Sequence, residues 1–199
     1  MSVNRIDKVT DNNYLNLYNI EVTNDKTGDT YPYYVASRRK DKWKLSCVTK
    51  KHNKADAVLI VPIFDNSDIV LIKQYRPAID DYIYEFPAGL VDVGESTSAA
   101  VKRELYEEVG LSCYCIEQMI KPSYTSVGMS DESCAVYIAN VTGEISTEHN
   151  EGHEDIEPIV VKMNDALKFV DENMVSIKTA LIMRSLYFQH KLQLSQREF

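Results

Sequence analysis

Residues 89–111 read GLVDVGESTSAAVKRELYEEVGL, and this stretch decides the fold. On a helix of about 3.6 residues per turn, Glu104 and Glu108 lie one turn apart with Glu107 beside them, so three carboxylates share a face. Like charges at these spacings destabilise a helix by about 0.2–0.5 kcal/mol per pair, and a bound cation is the usual compensation. Oxygen ligands without His or Cys favour Mg²⁺ or Mn²⁺, which typically join carboxylates to substrate phosphates. The stretch therefore predicts a metal-binding helix that faces a phosphate-bearing ligand.

The spacing of the whole stretch is more specific than its acidity. It reads Gly-x5-Glu-x7-Arg-Glu-aliphatic-x-Glu-Glu-x-Gly-aliphatic, and at every defined position it resembles the sequence box of the Nudix hydrolases. A solvated acidic face is the alternative for any Glu-rich helix. That alternative gives no reason for Gly89, Glu95, Arg103 and Gly110 to stand at the offsets of the box.

The resemblance implies an α/β (α+β) fold, with a mixed β-sheet sandwiched between helices. The sequence adds a small antiparallel N-terminal sheet, so we expect residues 1–50 to form that sheet and residues 51–199 to form the Nudix domain. Three β-rich runs separated by turn chemistry predict the N-terminal sheet: YLNLYNIEV, TYPYYVASR and KWKLSCV. A sheet this small needs a partner surface for stability.

Apolar patterning predicts the remaining elements. ADAVLIVPIF (55–64) and IVLIKQYRPA (69–78) flank the turn residues 65–68 and predict a hairpin. Further strands are expected at 82–86, 113–121, 134–142 and 157–163. Two helices are expected to close the chain, at 164–172 with Asn164 as N-cap, and at 176–190.

The segment before the box narrows the resemblance. LIKQYRPAIDDYIYEFPAGLVDVGE (71–95) resembles the ADP-ribose pyrophosphatase branch, in which an Arg precedes a Glu-aliphatic-Pro-Ala-Gly turn. Arg76 and Glu85 stand at those positions and are candidate substrate-binding residues, because the planar donor fork of Arg suits phosphate oxygens. An Arg at the surface end of a strand is the alternative. Gly89 is expected to permit a tight turn. The resemblance implies that the carbonyl of Ala88 is a metal ligand.

The loop after the box departs from that branch. Residues 124–132 read YTSVGMSDE and resemble the loop of nucleoside-diphosphate-sugar hydrolases, in which a Pro commonly precedes the Gly. Val127 replaces that Pro, so the loop is free to adopt another shape. Gly128 and Glu132 are candidate substrate contacts, and a solvated loop acid is the alternative for Glu132. The departure favours a nucleoside diphosphate sugar over ADP-ribose alone.

A second acidic segment, EHNEGHEDIE (148–157), predicts a functional loop before a strand. By resemblance the general base lies here, and Glu154 is the first candidate with Glu151 in reserve. His149 and His153 are expected to be exposed loop histidines, because a hard metal ion prefers oxygen ligands.

The resemblance also assigns roles within the box. Glu104 and Glu108 are expected to hold Mg²⁺ (or Mn²⁺), with Glu107 and the Ala88 carbonyl contributing and Glu95 acting indirectly or through water. Arg103 stands at i, i+4 from Glu107 and is expected to orient it. The implied reaction is metal-assisted hydrolysis of a pyrophosphate.

The N-terminal sheet is rich in aromatic residues that suit a nucleobase or a core: Tyr31, Tyr33, Tyr34 and Trp43. Trp43 is the preferred stacking residue, and Arg38 lies near the expected rim. In the resembled branch this sheet exchanges across a homodimer, which predicts a dimeric protein with shared base-binding residues.

Composition excludes several classes of function. The net charge is −8, and basic residues form no stripe interleaved with aromatics, so a nucleic-acid polymer is not expected as a partner. The four cysteines lack metal-binding spacing and predict reduced, mostly buried thiols. The chain shows neither a signal-peptide pattern nor a membrane-length apolar run, which predicts a cytoplasmic protein without a membrane partner.

Three functions remain open on sequence grounds. The first is a nucleoside-diphosphate-sugar pyrophosphatase of ADP-ribose type, and the second is a Nudix enzyme for another nucleotide sugar, a dinucleotide or a coenzyme. The third is a nucleotide-sensing module without turnover. Loss of box carboxylates is expected for the third, and every box carboxylate is present.

Overall fold

A computed structural model describes residues 1–150, 152 and 155–197 of the chain. Two compact units are present, Met1–Ala57 with Ile120–Ala135, and Val58–Met119 with Val136–Phe199. We call them the N-terminal unit and the larger unit. The division into domains at residue 50 stays a prediction.

The N-terminal unit is built on an antiparallel sheet of three strands, β1 (Ser2–Lys8), β2 (Asn16–Thr23) and β3 (Thr30–Ser37), in that order. Its core is a cluster of Ile6, Tyr18, Ile20 and Leu45. The fully buried Tyr18 satisfies its hydroxyl by donating to the carbonyl of Arg39 at 2.7 Å. The predicted small antiparallel sheet is therefore present.

One of the three strands predicted for that sheet was wrong. The run KWKLSCV forms a 3₁₀ turn at Lys42–Lys44 and a short helix α1 (Ser46–Thr49) instead of a strand. Carboxylates begin both turns, because Asp41 accepts from the Trp43 amide at 3.0 Å and Asp131 accepts from the Ser46 amide at 3.0 Å. The third strand is β1, whose sequence SVNRIDK buries only Ile6 and so carries no alternating pattern.

The larger unit contains most of a second sheet. Its strands are β4 (Ala57–Ile63), β5 (Ile69–Arg76), β6 (Asp81–Glu85), β7 (Ala88–Leu90), β8 (Ser112–Tyr124), β9 (Ser133–Thr142) and β10 (Ile156–Val161). Within the described residues the order is β10-β5-β4-β9-β8, with β6 paired to β5 and β7 to β4. The predicted hairpin is β4 and β5, and its turn is closed by the Phe64 amide donating to the carbonyl of Asp68 at 3.0 Å. Together with the helices, this sheet confirms the predicted α/β fold.

Helix α2 (Thr97–Val109) carries the carboxylates of the box. Ser96 caps its start by accepting from the Ala99 amide at 3.2 Å, and Gly110 ends it with a left-handed φ of 72°. Its core face consists of Ala100, Val101, Leu105 and Val109, all fully buried. This packing fixes the rotation of α2 and therefore the direction of its acidic face.

Two helices close the chain, α3 (Ala166–Glu172) and α4 (Ile177–Arg197), and α4 is longer than predicted. Asn164 is not the N-cap of α3, because it lies within a 3₁₀ turn at Met163–Asp165 that precedes the helix. The side-chain oxygen of Asn164 accepts instead from Lys191 at 3.2 Å. Among the described residues, no helix is long and apolar enough to cross a membrane.

All four cysteines lie in the described part of the chain, and none is in a disulfide. Cys134 is buried, while Cys47 and Cys113 are half-buried. Burial raises the pKa of the Cys47 and Cys113 thiols, which keeps them protonated. Cys115 is exposed, so the expectation of mostly buried thiols holds less well for it.

Candidate active site

Six of the predicted site residues meet on or beside helix α2 in the larger unit: Ala88, Glu95, Arg103, Glu104, Glu107 and Glu108. Glu104 and Glu108 are buried, at 8% and 2% exposure. Burial of ionised carboxylates is costly unless positive charge or hydrogen bonds compensate it, so the helix needs cationic partners on this face. The structure places the predicted acidic face toward β7, so positive charge at this position would lower the cost of burying the two carboxylates.

Arg103 is the cation that the chain itself supplies. Its guanidinium forms two hydrogen bonds to Glu95, at 3.1 and 3.0 Å, and donates to Glu104 at 2.7 Å and to Glu107 at 2.9 Å. A further N–H donates to the carbonyl of Leu90 at 2.8 Å. One side chain therefore offsets the repulsion among three carboxylates and ties the loop before α2 to the helix.

These contacts shift the titration of the partners. The hydrogen bonds from Arg103 hold the pKa of Glu95 below its usual value, and the carboxylates raise the pKa of Arg103 further above its already high value. Glu95 also accepts from the Asp92 amide at 3.0 Å. The Glu95 carboxylate is therefore held ionised and fixed in orientation.

The structure gives a steric explanation for glycine at position 89 that the sequence did not reveal. A Cβ built on Gly89 would lie 1.8 Å from Oε1 and 2.3 Å from Oε2 of Glu104. The expectation that Gly89 permits a tight turn is wrong, because Gly89 lies in β7 and its φ is not in the left-handed region. Glycine is required here because the Glu104 carboxylate occupies the volume of a side chain.

Ala88 positions the second buried carboxylate. Its amide donates to Oε2 of Glu108 at 3.1 Å, which links β7 to α2. Glu104 and Glu108 thus both contact the Ala88–Gly89 segment. The role of the Ala88 carbonyl as a ligand stays a prediction.

The donor set fits a hard divalent cation. The carboxylates are all oxygen ligands, two of them are buried, and Gly89 leaves a cradle around Glu104 that a Cβ would fill. In the described part of the chain, no three His, Cys, Asp or Glu side chains are already arranged as a metal cage. Three of the box carboxylates instead engage Arg103.

The predicted general base lies outside this description. Glu154, its reserve Glu151, and His153 are not among the described residues, so their roles stay predictions. His149 is exposed, as expected for a loop histidine, and its ring stacks on Tyr106 with centroids 4.2 Å apart.

Arg76 ends β5 and Glu85 ends β6, so the two residues lie at opposite ends of the antiparallel β5–β6 ladder. Their side chains meet along it in an ion pair at 2.7 Å, in which Glu85 is largely buried and Arg76 is half exposed. The pair directs the guanidinium back along the ladder toward Glu85 while part of its donor fork stays exposed. Their role in binding substrate is a prediction.

The remaining predicted contacts lie in the N-terminal unit. Arg38 and Glu132 form an ion pair at 2.7 Å, and the carbonyl of Gly128 accepts from the Tyr33 hydroxyl at 2.5 Å. Trp43 is 66% exposed, and the ammonium of Lys42 lies over its ring, 5.2 Å from the centroid. An exposed tryptophan of this kind is available for stacking.

Sequence reasoning missed several residues around the site. The Leu90 carbonyl accepts from Arg103, Tyr106 on α2 stacks on His149, and Asn150 faces the last carbonyls of α2. Tyr82 donates to Asp155 at the end of the acidic loop. The only available signal was position, because Tyr106 lies within the box and Asn150 lies within the acidic segment.

The fold and this carboxylate site define the class of protein. The model of the NUDIX domain matches residues 53–181, which is more than half of the chain. The chain therefore belongs to the NUDIX domain family, and the resemblance to the Nudix hydrolases is confirmed.

Individual relatives agree with this assignment. An ADP-ribose pyrophosphatase of Bacillus subtilis (strain 168) is 36% identical over 72% of this chain and 77% of its own length. An ADP-sugar pyrophosphatase of Mus musculus is 33% identical over 62% of this chain and 60% of its own. A crystal structure of an ADP compounds hydrolase superposes with a TM-score of 0.71 and 20% identity, covering 96% of this chain and 95% of that one, which shows a shared fold.

Proposed function

We propose that the protein hydrolyses the pyrophosphate bond of ADP-ribose and releases AMP and ribose 5-phosphate. The observation that carries the proposal is the pair of buried carboxylates, Glu104 and Glu108, held against Ala88 and Gly89. The similarity to the Bacillus subtilis ADP-ribose pyrophosphatase supports the choice of substrate.

Mg²⁺, or Mn²⁺ in its place, is the proposed cofactor. Glu104 and Glu108 would hold it, with Glu107, the Ala88 carbonyl and Glu95 contributing directly or through water. A bound divalent cation supplies charge neutralisation of the diphosphate and a lowered pKa for a bound water.

Residues of the chain itself hold the carboxylates in place and accept the proton. Arg103 holds Glu95, Glu104 and Glu107 in one orientation through its hydrogen bonds, and we propose that it keeps this function in the working enzyme. Glu154 accepts the proton of a water whose oxygen bonds to phosphorus, while the bridging P–O bond breaks and its electrons pass to the leaving phosphate. Glu151 is the reserve for that role.

We propose that Arg76 binds the pyrophosphate, with Glu85 fixing its orientation through the 2.7 Å ion pair. Trp43 stacks on the base, and Arg38, Gly128 and Glu132 belong to the same recognition surface. The exposure of Trp43, the Arg38–Glu132 ion pair and the hydrogen bond from Tyr33 to Gly128 support this assignment. The proposed assembly is a homodimer in which each N-terminal unit serves its partner's site.

A second candidate is hydrolysis of another ADP compound or nucleotide sugar. Val127 is 69% exposed at the position where the ADP-ribose branch commonly has Pro, so this loop retains freedom to fit other sugars. The mouse ADP-sugar pyrophosphatase is a relative of similar identity. A sensing module without turnover is disfavoured, because every box carboxylate is present and Arg103 organises three of them.

We also propose a cytoplasmic location, because the four cysteines are free thiols and a reducing compartment keeps thiols in that state.

The test is a substrate panel with the purified chain. ADP-ribose, other nucleoside diphosphate sugars and dinucleotides are incubated with Mg²⁺, with Mn²⁺ or with chelator, and the products are resolved by mass. The proposal expects the largest kcat/KM for ADP-ribose, products AMP and ribose 5-phosphate, and no turnover in chelator. Turnover in chelator contradicts the mechanism, and a larger kcat/KM for another compound selects the second candidate.

A further inference from the structure

The carboxyl end of helix α2 is closed by residues 146–150, which lead into the acidic loop. The Ser146 amide donates to the carbonyl of Val109 at 3.1 Å. With its amide nitrogen facing the helix, Asn150 donates to the carbonyls of Glu107 at 2.7 Å and Glu108 at 3.2 Å. The last four carbonyls of a helix lack intrahelical partners, and three of those in α2 are satisfied by this one segment. The loop is therefore attached to the same residues that carry the site carboxylates.

Two further features bring the segment close to the helix. The ring of His149 stacks on that of Tyr106 at a centroid distance of 4.2 Å and an interplanar angle of 19°. A Cβ at Gly110 would lie 2.8 Å from the backbone nitrogen of Ser146. The second glycine of the box thus leaves room for the loop, in addition to adopting the left-handed φ that ends α2.

The far end of the loop is attached as well. The Asp155 carboxylate accepts from the Tyr82 hydroxyl on β6, and the Asp155 carbonyl accepts from the Tyr75 amide on β5 at 3.2 Å. From Asn150 to Asp155 the chain spans five residue steps, at most about 17 Å when fully extended. Asn150 and Asp155 are both attached to neighbouring elements of the larger unit.

We infer that Tyr106, His149, Asn150 and Tyr82 form a clamp that holds residues 146–150 against the carboxyl end of α2 and Asp155 against β6. They are positioning residues, because they act through the loop and not on substrate. The inference rests on the proposed function, in which the proton acceptor, Glu154 or Glu151, lies between the clamped ends. A misplacement of a catalytic group by about 1 Å costs on the order of 10²-fold in rate, so a clamp of this kind has a measurable effect on kcat.

Tyr106 gives the sharpest test because a matched control exists. Tyr106→Ala removes the ring that stacks on His149, and Tyr106→Phe keeps it. We expect Tyr106→Ala to lower kcat by about 5–10-fold with KM changed less than two-fold, and Tyr106→Phe to stay within two-fold of the wild type, in line with the strength of one aromatic contact.

Asn150 tests the hydrogen-bonded part of the clamp. Asn150→Ala removes both donors, and Asn150→Asp adds a negative charge that faces helix carbonyls and the negative end of the helix dipole. We expect kcat to fall about ten-fold in Asn150→Ala and further in Asn150→Asp. A decrease in Asn150→Asp smaller than that in Asn150→Ala contradicts the inference.

Tyr82→Phe tests the far end without touching α2. It removes only the hydroxyl that donates to Asp155, and we expect kcat to fall about three-fold or more. Tyr114→Phe is its matched control, since Tyr114 donates in the same way to Asp65 on another part of the larger unit and should leave kcat unchanged.

Hydrogen exchange and metal affinity separate the clamp from simple stabilisation of α2. Amides of residues 144–155 should exchange faster in Tyr106→Ala and Asn150→Ala, while the amides of α2 and the Mn²⁺ affinity stay as in the wild type. Unchanged loop exchange in both variants, or a kcat decrease accompanied by equal loss of Mn²⁺ affinity, overturns the inference. Hydrogen exchange can be measured without turnover. If the wild-type protein were inactive on ADP-ribose, the proposed function would be refuted, and the exchange rates would still show whether the clamp exists.

Discussion

Gly89→Ala is the substitution whose consequence the structure determines most directly. The new Cβ would lie 1.8 Å from Oε1 of Glu104, whereas ordinary contacts begin at 3.4 Å, so the carboxylate must retreat by about 1.6 Å. Glu104 is 8% exposed, and its Arg103 ion pair at 2.7 Å cannot survive such a shift without a matching movement of the guanidinium. The atoms that must move are the end of a flexible side chain, so the backbone is expected to keep its fold.

The expected effect is therefore large on catalysis and modest on stability. Displacement of one site carboxylate should lower kcat/KM by about 10²-fold or more and shift metal activation to higher Mg²⁺ concentration. Overpacking should reduce the free energy of unfolding by about 1–3 kcal/mol.

The measurement is a Mg²⁺ titration of initial rates together with a thermal melt. Gly94→Ala is the control, because Gly94 lies in the loop after β7 with a φ of 87° and its new Cβ would meet no atom within 4 Å. It should destabilise through backbone strain of about 1–2 kcal/mol without shifting metal activation. Wild-type metal activation and turnover in Gly89→Ala would refute the steric argument for this glycine.

Further predictions concern the site carboxylates and the base contact. Glu108→Gln should lower kcat by at least about 10²-fold, and rates in chelator should fall to background; turnover unchanged by chelator argues against a metal mechanism. Glu154→Gln should lower kcat by roughly 10²–10⁴-fold with metal affinity and Tm unchanged, and near-normal kcat would move the role elsewhere. Trp43→Ala should raise KM by an amount on the order of one stacking contact, about 1–3 kcal/mol, with Tm unchanged because the ring is 66% exposed; an unchanged KM removes Trp43 from base recognition. Arg103 holds the pKa of Glu95 below its unfolded value, so the ion pair stabilises the fold above the unfolded pKa, and that stabilisation is lost as pH falls through the lower folded pKa. Glu95→Gln should therefore flatten the acid side of a plot of Tm against pH. An unaltered plot contradicts the pairing.

The sequence by itself determined what depends on neighbours along the chain. Helix α2 and its acidic face follow from residue spacing, because i, i+3 and i, i+4 positions of a helix are neighbours whatever the rest of the fold does. The β4–β5 hairpin follows from two apolar runs around a polar turn. The pairing of Arg103 with Glu107 was likewise predictable from a four-residue spacing, and it is observed at 2.9 Å.

Only the tertiary structure decided what depends on contacts between distant segments. The Glu104 carboxylate, from another element, occupies the volume that a Cβ at Gly89 would fill, and no local property of β7 reveals this. The run KWKLSCV became helical partly because the Ser46 amide is capped by Asp131, 85 residues away, and so a β-like local pattern was overridden. The attachment of residues 146–150 to α2 and of Asp155 to β5 and β6 is of the same kind, because side-chain stacking and helix-end hydrogen bonds form only after the sheet and α2 have packed. Short-range spacing therefore defines the chemistry of the site, while packing between distant segments sets its geometry.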